Sequence, residues 1–187
     1  MISNGGLGLG LNMNNEHIKN LLKSLSLSDE NILKVLEEIG SSGKVRILKH
    51  KAGTKDLISV GHWMKNIVVC DSNTGRNLIV QKLAGINTYT CNITHGSIGT
   101  GQATPANSDT HLTTPIVTVA LTDSSIPTVN VASLQFFFPD NILANGTYYE
   151  FGTYIDTNQL FNHCLFDTSY VKAAGEDTTV EVQFTIN

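Results

Sequence analysis

The chain has 187 residues and a mass of 20.2 kDa, enough for one good-sized core with a small appendage. Only 15% of its residues are charged, against 41% hydrophobic, well below the roughly one quarter charged in soluble domains. The net charge of −4 is split: residues 1–82 carry 11 Lys/Arg and 7 Asp/Glu, whereas residues 83–187 carry 9 Asp/Glu and one cation, Lys172, a body too poor in cations to neutralise a phosphate backbone.

No nucleic-acid partner is therefore expected. The two halves are expected to attract each other or the matching halves of neighbouring copies. Three cysteines, Cys70, Cys91 and Cys164, have no disulfide or zinc spacing and read as buried free thiols.

Residues 1–15 are rich in Gly and Asn and read as a flexible arm, or one ordered by a partner. Their "GLGLG" lacks the preceding strand that a dinucleotide fingerprint needs. The start of the chain has no basic n-region or apolar h-region, so no signal peptide is expected. No apolar run approaches the ~20 residues of a bilayer span, so no membrane partner is expected either. Without a secretion signal, the glycosylation patterns at Asn92 and Asn145 read as coincidence.

Two short amphipathic helices follow. Ile18, Leu21, Leu22 and Leu25 recur at helical spacing. Ser28 caps the second, Asp29 and Glu30 sit in its first turn, Ile32, Val35, Leu36 and Ile39 line one face, and Gly40 ends it. Such helices make no core alone and need the main body or another subunit.

From Lys44 the period changes. "KVRILKH" and "LISVGHW" read as strands joined by "KAGTKD" into a hairpin. "NTGRNLIVQKLAG" reads as a helix with Leu78, Ile79, Lys82 and Leu83 on one side. Strand patterns then dominate: "NTYTCNIT" (alternating Tyr89, Cys91 and Ile93), "PIVTVAL", "TVNVASLQFFF", "TYYEFGTYI" and "LFNHCLF", with turns at "TDSS", "PDN", "NGT" and "DTN". "TTVEVQFTI" closes the chain, with Val180, Val182, Phe184 and Ile186 on one face and Thr179, Glu181, Gln183 and Thr185 on the other. The expected fold is mainly β: a jelly-roll-like β-sandwich over residues 41–187 and a helical arm over 1–40.

Several constellations invite a chemical reading. Cys91, Cys164, His95, His111 and His163 are ingredients of a nucleophilic triad, but "GSIGTG" around Ser97 lacks the spacing of a nucleophile elbow. Asp109 with His111, or His163 with Cys164, would begin a metal site, yet no further ligand sits at a telling spacing. His163 and Cys164 are adjacent, so in a strand they point to opposite faces. Glu150 is the acid that stands out, in the aromatic strand "GTYYEFGTY". It reads as half of a glycosidase pair, or as an outward residue or an acceptor for nearby backbone N–H groups. Tyr148, Tyr149, Phe151 and Tyr154 read as a sugar-stacking platform or as core plus an interface stripe. Alternation puts Tyr149 and Phe151 on one face and Tyr148 and Glu150 on the other. No catalytic residue, metal or cofactor is assigned, and no enzymatic activity is expected.

Residues 96–112, "GSIGTGQATPANSDTHL", read as a structural corner. Gly99 and Gly101 permit positive φ or a close backbone approach. Thr104-Pro105 fixes an extended step, and Asn107, Ser108 and Asp109 can cap turns. The stretch is too poor in cations to cradle a phosphate.

"IGTG" followed by "ATPANSDTHL" resembles small tailed-bacteriophage virion proteins, in which a strand runs into an I-G-T-G turn, a T-x-P segment and a D-T-x-L element. Lys65-Asn66 before an apolar strand, the helix "NLIVQKLAG", the N-G-x-x-x-E-x-G element in "NGTYYEFGTY", Leu160-Phe161 and Lys172 follow the same order over residues 60–187. One departure is that "TTPIV" stands where an Arg often follows D-T-x-L. The resemblance implies a corner motif that is structural, with Asp109 tying down its own loop and Glu150-x-Gly152 anchoring the neighbouring strand. It implies a virion protein, made in the host cytoplasm and assembled with other virion proteins and copies of itself. A tail-associated role as fibre adaptor, baseplate or collar protein is the first expectation, with head decoration or a module binding a host-surface glycan as alternatives.

Overall fold

The computed structural model describes residues 42–86, 88–156 and 158–186. The arm and two helices expected in residues 1–40 lie outside the described residues. The elements are β1 (Ser42–Lys51), β2 (Leu57–Val60), β3 (Met64–Val68), α1 (Gly75–Leu83), β4 (Ile93–Gly99), β5 (Pro115–Ala120), β6 (Asp123–Thr128), β7 (Val131–Phe138), β8 (Gly146–Ile155), β9 (Gln159–Lys172) and β10 (Glu176–Thr185). The chain is mainly β, as expected. Its strands form one curled antiparallel sheet in the order β5-β4-β8-β9-β3-β1-β10-β7-β6, with β2 paired to β1.

Strand β3 joins two halves of this sheet. Its start pairs with β1, Val45 facing Met64, and its end with β9, Ile67 facing His163. The curl shows in the core. Phe136 and Phe138 of β7 meet Phe151 of β8 at ring-centroid distances of 5.6 and 6.4 Å, although the two strands stand far apart in the sheet order. Gly96 makes this contact possible, because a Cβ there would lie 2.6 Å from the Phe136 ring. The sheet's two ends are stitched by the β5–β6 link. Leu121 N–H donates to Thr94 O and Thr122 N–H to Gln135 O, each at 2.8 Å.

Where apolar alternation is clean, it places the residues. Val180, Val182 and Phe184 are in the core, but Ile186, past the end of β10, is exposed. The β1–β2 hairpin forms with Leu48 opposite Val60, and Gly53 takes a φ of 72° in its turn. Three local readings need correction. "NTYTCNIT" becomes strand only at Ile93, because Cys91 adopts a left-handed φ of 61°. The polar "TDSS" lies at the start of edge strand β6, whose side chains are all exposed. Helix α1 buries Leu78, whereas Leu83 in its last turn is 84% exposed.

Part of the charge split is resolved inside the body. β1 pairs with β10 along its whole length, which sets Arg46 opposite Glu181 and Lys51 opposite Glu176. Arg46 Nη2 lies 2.7 Å from Glu181, and Lys49 Nζ lies 3.0 Å from Glu176. The Ala173 N–H, with Lys49 beside it, holds the Glu176 carboxyl below the usual range. Lys172, the only cation after residue 82, is buried. Its ammonium donates to Asp140, Asn145 Oδ1 and Ala173 O, and lowers the Asp140 carboxyl. No helix among the described residues is long and apolar enough to cross a membrane.

Candidate functional site

The corner motif folds back over the outer face of β8 and β9. Register explains how: Gly99 at the end of β4 pairs with Glu150, Ile98 with Phe151 and Ser97 with Gly152. Phe151 points into the core, so Glu150 points the other way, beneath the loop of residues 100–114.

Glu150 is fully buried and accepts three backbone hydrogen bonds. Gly101 N–H, Thr113 N–H and Thr114 N–H donate at 3.1, 3.0 and 2.7 Å, and His163 Nε2 lies 3.0 Å from its Oε2. The other ring nitrogen of His163, Nδ1, lies 2.7 Å from Asp109 Oδ2. That carboxylate oxygen also accepts from Ala106 N–H at 2.9 Å, which ties down its own loop. One buried imidazole thus bridges two carboxylates, and both carboxylates grip loop backbone. Charge-assisted bonds of this kind are roughly twice as strong as neutral ones.

The glycines are explained by close approach. A Cβ on Gly99 or Gly101 would lie 2.5 Å from Glu150 Oε1, and neither residue has a left-handed φ. Gly152 leaves room for Leu112, since a Cβ there would meet Leu112 Cδ2 at 2.9 Å and Asn162 O at 2.7 Å. Leu112 is fully buried and forms a small second core with Val69, Leu160 and Tyr154. The letters of I-G-T-G, D-T-x-L and E-x-G therefore meet in one place.

The other residues singled out in the sequence are dispersed. His111 turns its Nδ1 to Leu112 O rather than joining Asp109 in a chelate. Among the described residues no group of three or more His, Cys, Asp and Glu side chains is arranged to hold a metal ion. His163 and Cys164 point to opposite faces, and the Cys164 Sγ faces Lys65 O at 3.5 Å in the core. Burial pushes its thiol up to about 12. The Cys91 thiol meets Leu78 O, the Ser97 hydroxyl donates to Val117 O, and His95 Nδ1 faces Asp156 O. Each of these groups is engaged with a backbone carbonyl. A glycosidase needs two carboxylates facing a sugar across open space. Here the space between Glu150 and Asp109 is filled by the His163 ring.

The aromatic faces differ from simple alternation. A bulge between Tyr148 and Glu150 puts Tyr148 in the core together with Phe151, its hydroxyl donating to Ala144 O. Tyr149 and Tyr154 are half-buried, and burial raises the Tyr154 phenol. His163 as the partner of both acids was missed. Its signal, a histidine inside the apolar "LFNHCLF", acquires meaning only once β9 is aligned beside β8.

The thiols are free but not all buried: Cys70 is exposed, Cys91 half-buried and Cys164 buried. Maleimide labelling of the native protein is expected to modify Cys70 first and to reach Cys164 only on unfolding, because the thiolate is the reacting form. Mass spectrometry of labelled peptides checks this. Early modification of Cys164 would contradict its placement in the core.

Comparison of the chain with protein-family models, with curated proteins and with solved structures returns no match.

Proposed function

We propose that this chain is a structural component of a tailed-bacteriophage virion, tail-associated as a fibre adaptor, baseplate or collar protein, acting by protein–protein assembly. In this reading the curled sheet is a jelly-roll-like sandwich body presented to neighbouring subunits. The observation that carries the proposal is the corner anchor. The motif letters that resemble the phage proteins converge on Glu150 and His163, where every polar atom holds structure. A surface suited to docking supports it further. The four residues of β2, Leu57, Ile58, Ser59 and Val60, are all exposed, as are Ile126 and Val129 at the separate β6 edge of the sheet. An uncharged, largely apolar strand such as β2 at the margin of a sheet is a liability unless a partner covers it.

The test is mass spectrometry of particles purified from lysates of the bacterium in which the encoding genome replicates. The expected result is recovery of the chain with the particles in many copies, and release of intact protein only when the particles are dissociated. Absence from the particles would sink the proposal. Binding of the purified full chain to host glycans, with no association with virion proteins, would favour an attachment module.

A further inference from the structure

A groove of about 760 Å³ runs between the two halves of the curled sheet. Ile93 of β4 and Phe161 of β9 line one side, Leu134 of β7 and Phe184 of β10 the other, and Leu121 and Ile186 border it. Ile186 is 66% exposed, and Ile93 and Leu121 are only partly buried against the core. The polar lining does not converge: Thr94 Oγ1 donates to Asp156 O, and Asn92 and Ser124 are exposed. A small-molecule pocket orients its ligand with a few precisely placed polar groups. An open apolar groove without them suits the apolar face of an amphipathic helix.

We propose that this groove receives the apolar stripe Ile18, Leu21, Leu22 and Leu25 of a second copy of the chain. The inference rests on the assembly reading above and deepens it by naming the partner and the socket. The sequence before Ser42 holds two stripes of suitable spacing, and charge chooses between them. Asp123 is exposed beside Ser124, and Asp156 N–H donates to Asn92 O at 3.2 Å, so both acids stand at the rim of the groove. Lys82, the cation in the last turn of α1, is already engaged with Tyr89 O. Lys19 and Lys23, four residues apart, flank the first stripe, whereas Asp29, Glu30, Glu37 and Glu38 accompany the second, against a single Lys34. The first stripe brings cations to the acidic rim, and the second would bring like charge.

The tether is long enough for exchange between copies. Residues 26–41 separate Leu25 from Ser42, where β1 begins, and such a stretch reaches up to about 50 Å when extended. A body the size of residues 41–187 has a radius of gyration of only about 15 Å. The stripe and the groove are different surfaces, so the contact is heterologous. Copies joined by it add head to tail into a ring or a filament, the form that a repeated component of a particle requires.

Mixed-isotope crosslinking of the full chain tests the contact. Equal amounts of heavy-nitrogen-labelled and unlabelled protein are unfolded together in urea, refolded, and linked with a carbodiimide, which joins amines to carboxylates without a spacer. Mass spectrometry is expected to find Lys19 or Lys23 joined to Asp123 or Asp156, with about half of the linked pairs made of one labelled and one unlabelled peptide. Same-label pairs alone would mean that each stripe seats on its own body and would overturn the proposal, as would the absence of these links. Light scattering supplies a readout that needs no refolding. The full chain is expected to show at least twice the 20.2 kDa of a single copy. The double variant Leu21→Asp, Leu22→Asp is expected to fall to the mass of one copy while its circular dichroism keeps the sheet signal. A single-copy mass for the unaltered chain, or an unchanged mass for the variant, would also overturn the contact. Neither result bears on whether the chain is recovered with particles, so the assembly reading is decided separately.

Discussion

Replacing Glu150 by Ala is expected to destabilise the protein by about 3–5 kcal/mol, the range for removing one partner of a buried, paired charge. Three backbone N–H groups lose their acceptor and His163 loses one of its two carboxylates. Neither loss can be made good by water while the loop stays closed, because Glu150 is fully buried. Glu150→Gln is expected to cost less, about 1–3 kcal/mol. Its amide oxygen keeps an acceptor, but its NH₂ group then faces donors. Urea unfolding followed by circular dichroism measures both changes, with the slope checked for a change in exposed surface. A loss below about 1 kcal/mol for the alanine variant would mean that loop and sheet are independent. Glu150 would then be a residue that the loop happens to cover.

Much of the fold is legible where one face of a strand is apolar and the other polar. β10 alternates cleanly, and β1, β5, β7 and β8 each carry enough apolar residues to be found. The missed or misjudged elements have physical reasons. β6, "DSSIPT", buries none of its side chains, so no apolar period marks it. β3 borders both halves of the sheet, and its Lys65-Asn66 interrupts the apolar run. The strand expected at Tyr89 is cut short by a backbone conformation at Cys91 that residue type does not announce.

The charge asymmetry was legible as an attraction between the two parts of the chain. Its resolution into Arg46–Glu181 and Lys49–Glu176 depends on β1 lying beside β10, a pairing that joins residues far apart in the chain. The corner was legible in part too. A turn-capping Asp109 and a Glu150 that accepts from backbone are among the readings residue chemistry offers, and Asp109 as a tie for its own loop is what the resemblance implies. What the residues alone leave open is that these two acids share one histidine. That sharing is a property of register, because Gly99 pairs with Glu150, and Gly152, two residues further along β8, pairs with His163. Alternation misplaced Tyr148 for a related reason: one bulge reverses the face of every residue before it.

The glycines of the corner give the second large effect. Gly101→Ala is expected to cost about 3 kcal/mol, at the upper end for forcing extra atoms into a packed site. The added Cβ would sit 2.5 Å from Glu150 Oε1 and 2.4 Å from Thr113 Cβ, with no left-handed φ contributing strain. The cause can be isolated with a double-mutant cycle. Once Glu150→Ala has removed the carboxylate, the same Gly101→Ala change is expected to cost at least about 1 kcal/mol less, the coupling typical of groups in direct contact. The remainder reflects Thr113. Exchange at the loop amides supplies the second readout, since local opening of the loop to relieve the clash limits how much of the cost reaches global stability. Costs that add to within about 0.5 kcal/mol would show that the glycine serves something other than the carboxylate. Coupling would mean that the two glycines of I-G-T-G and the acid of E-x-G are one device: a backbone kept bare of side chains so that a buried carboxylate can hold it.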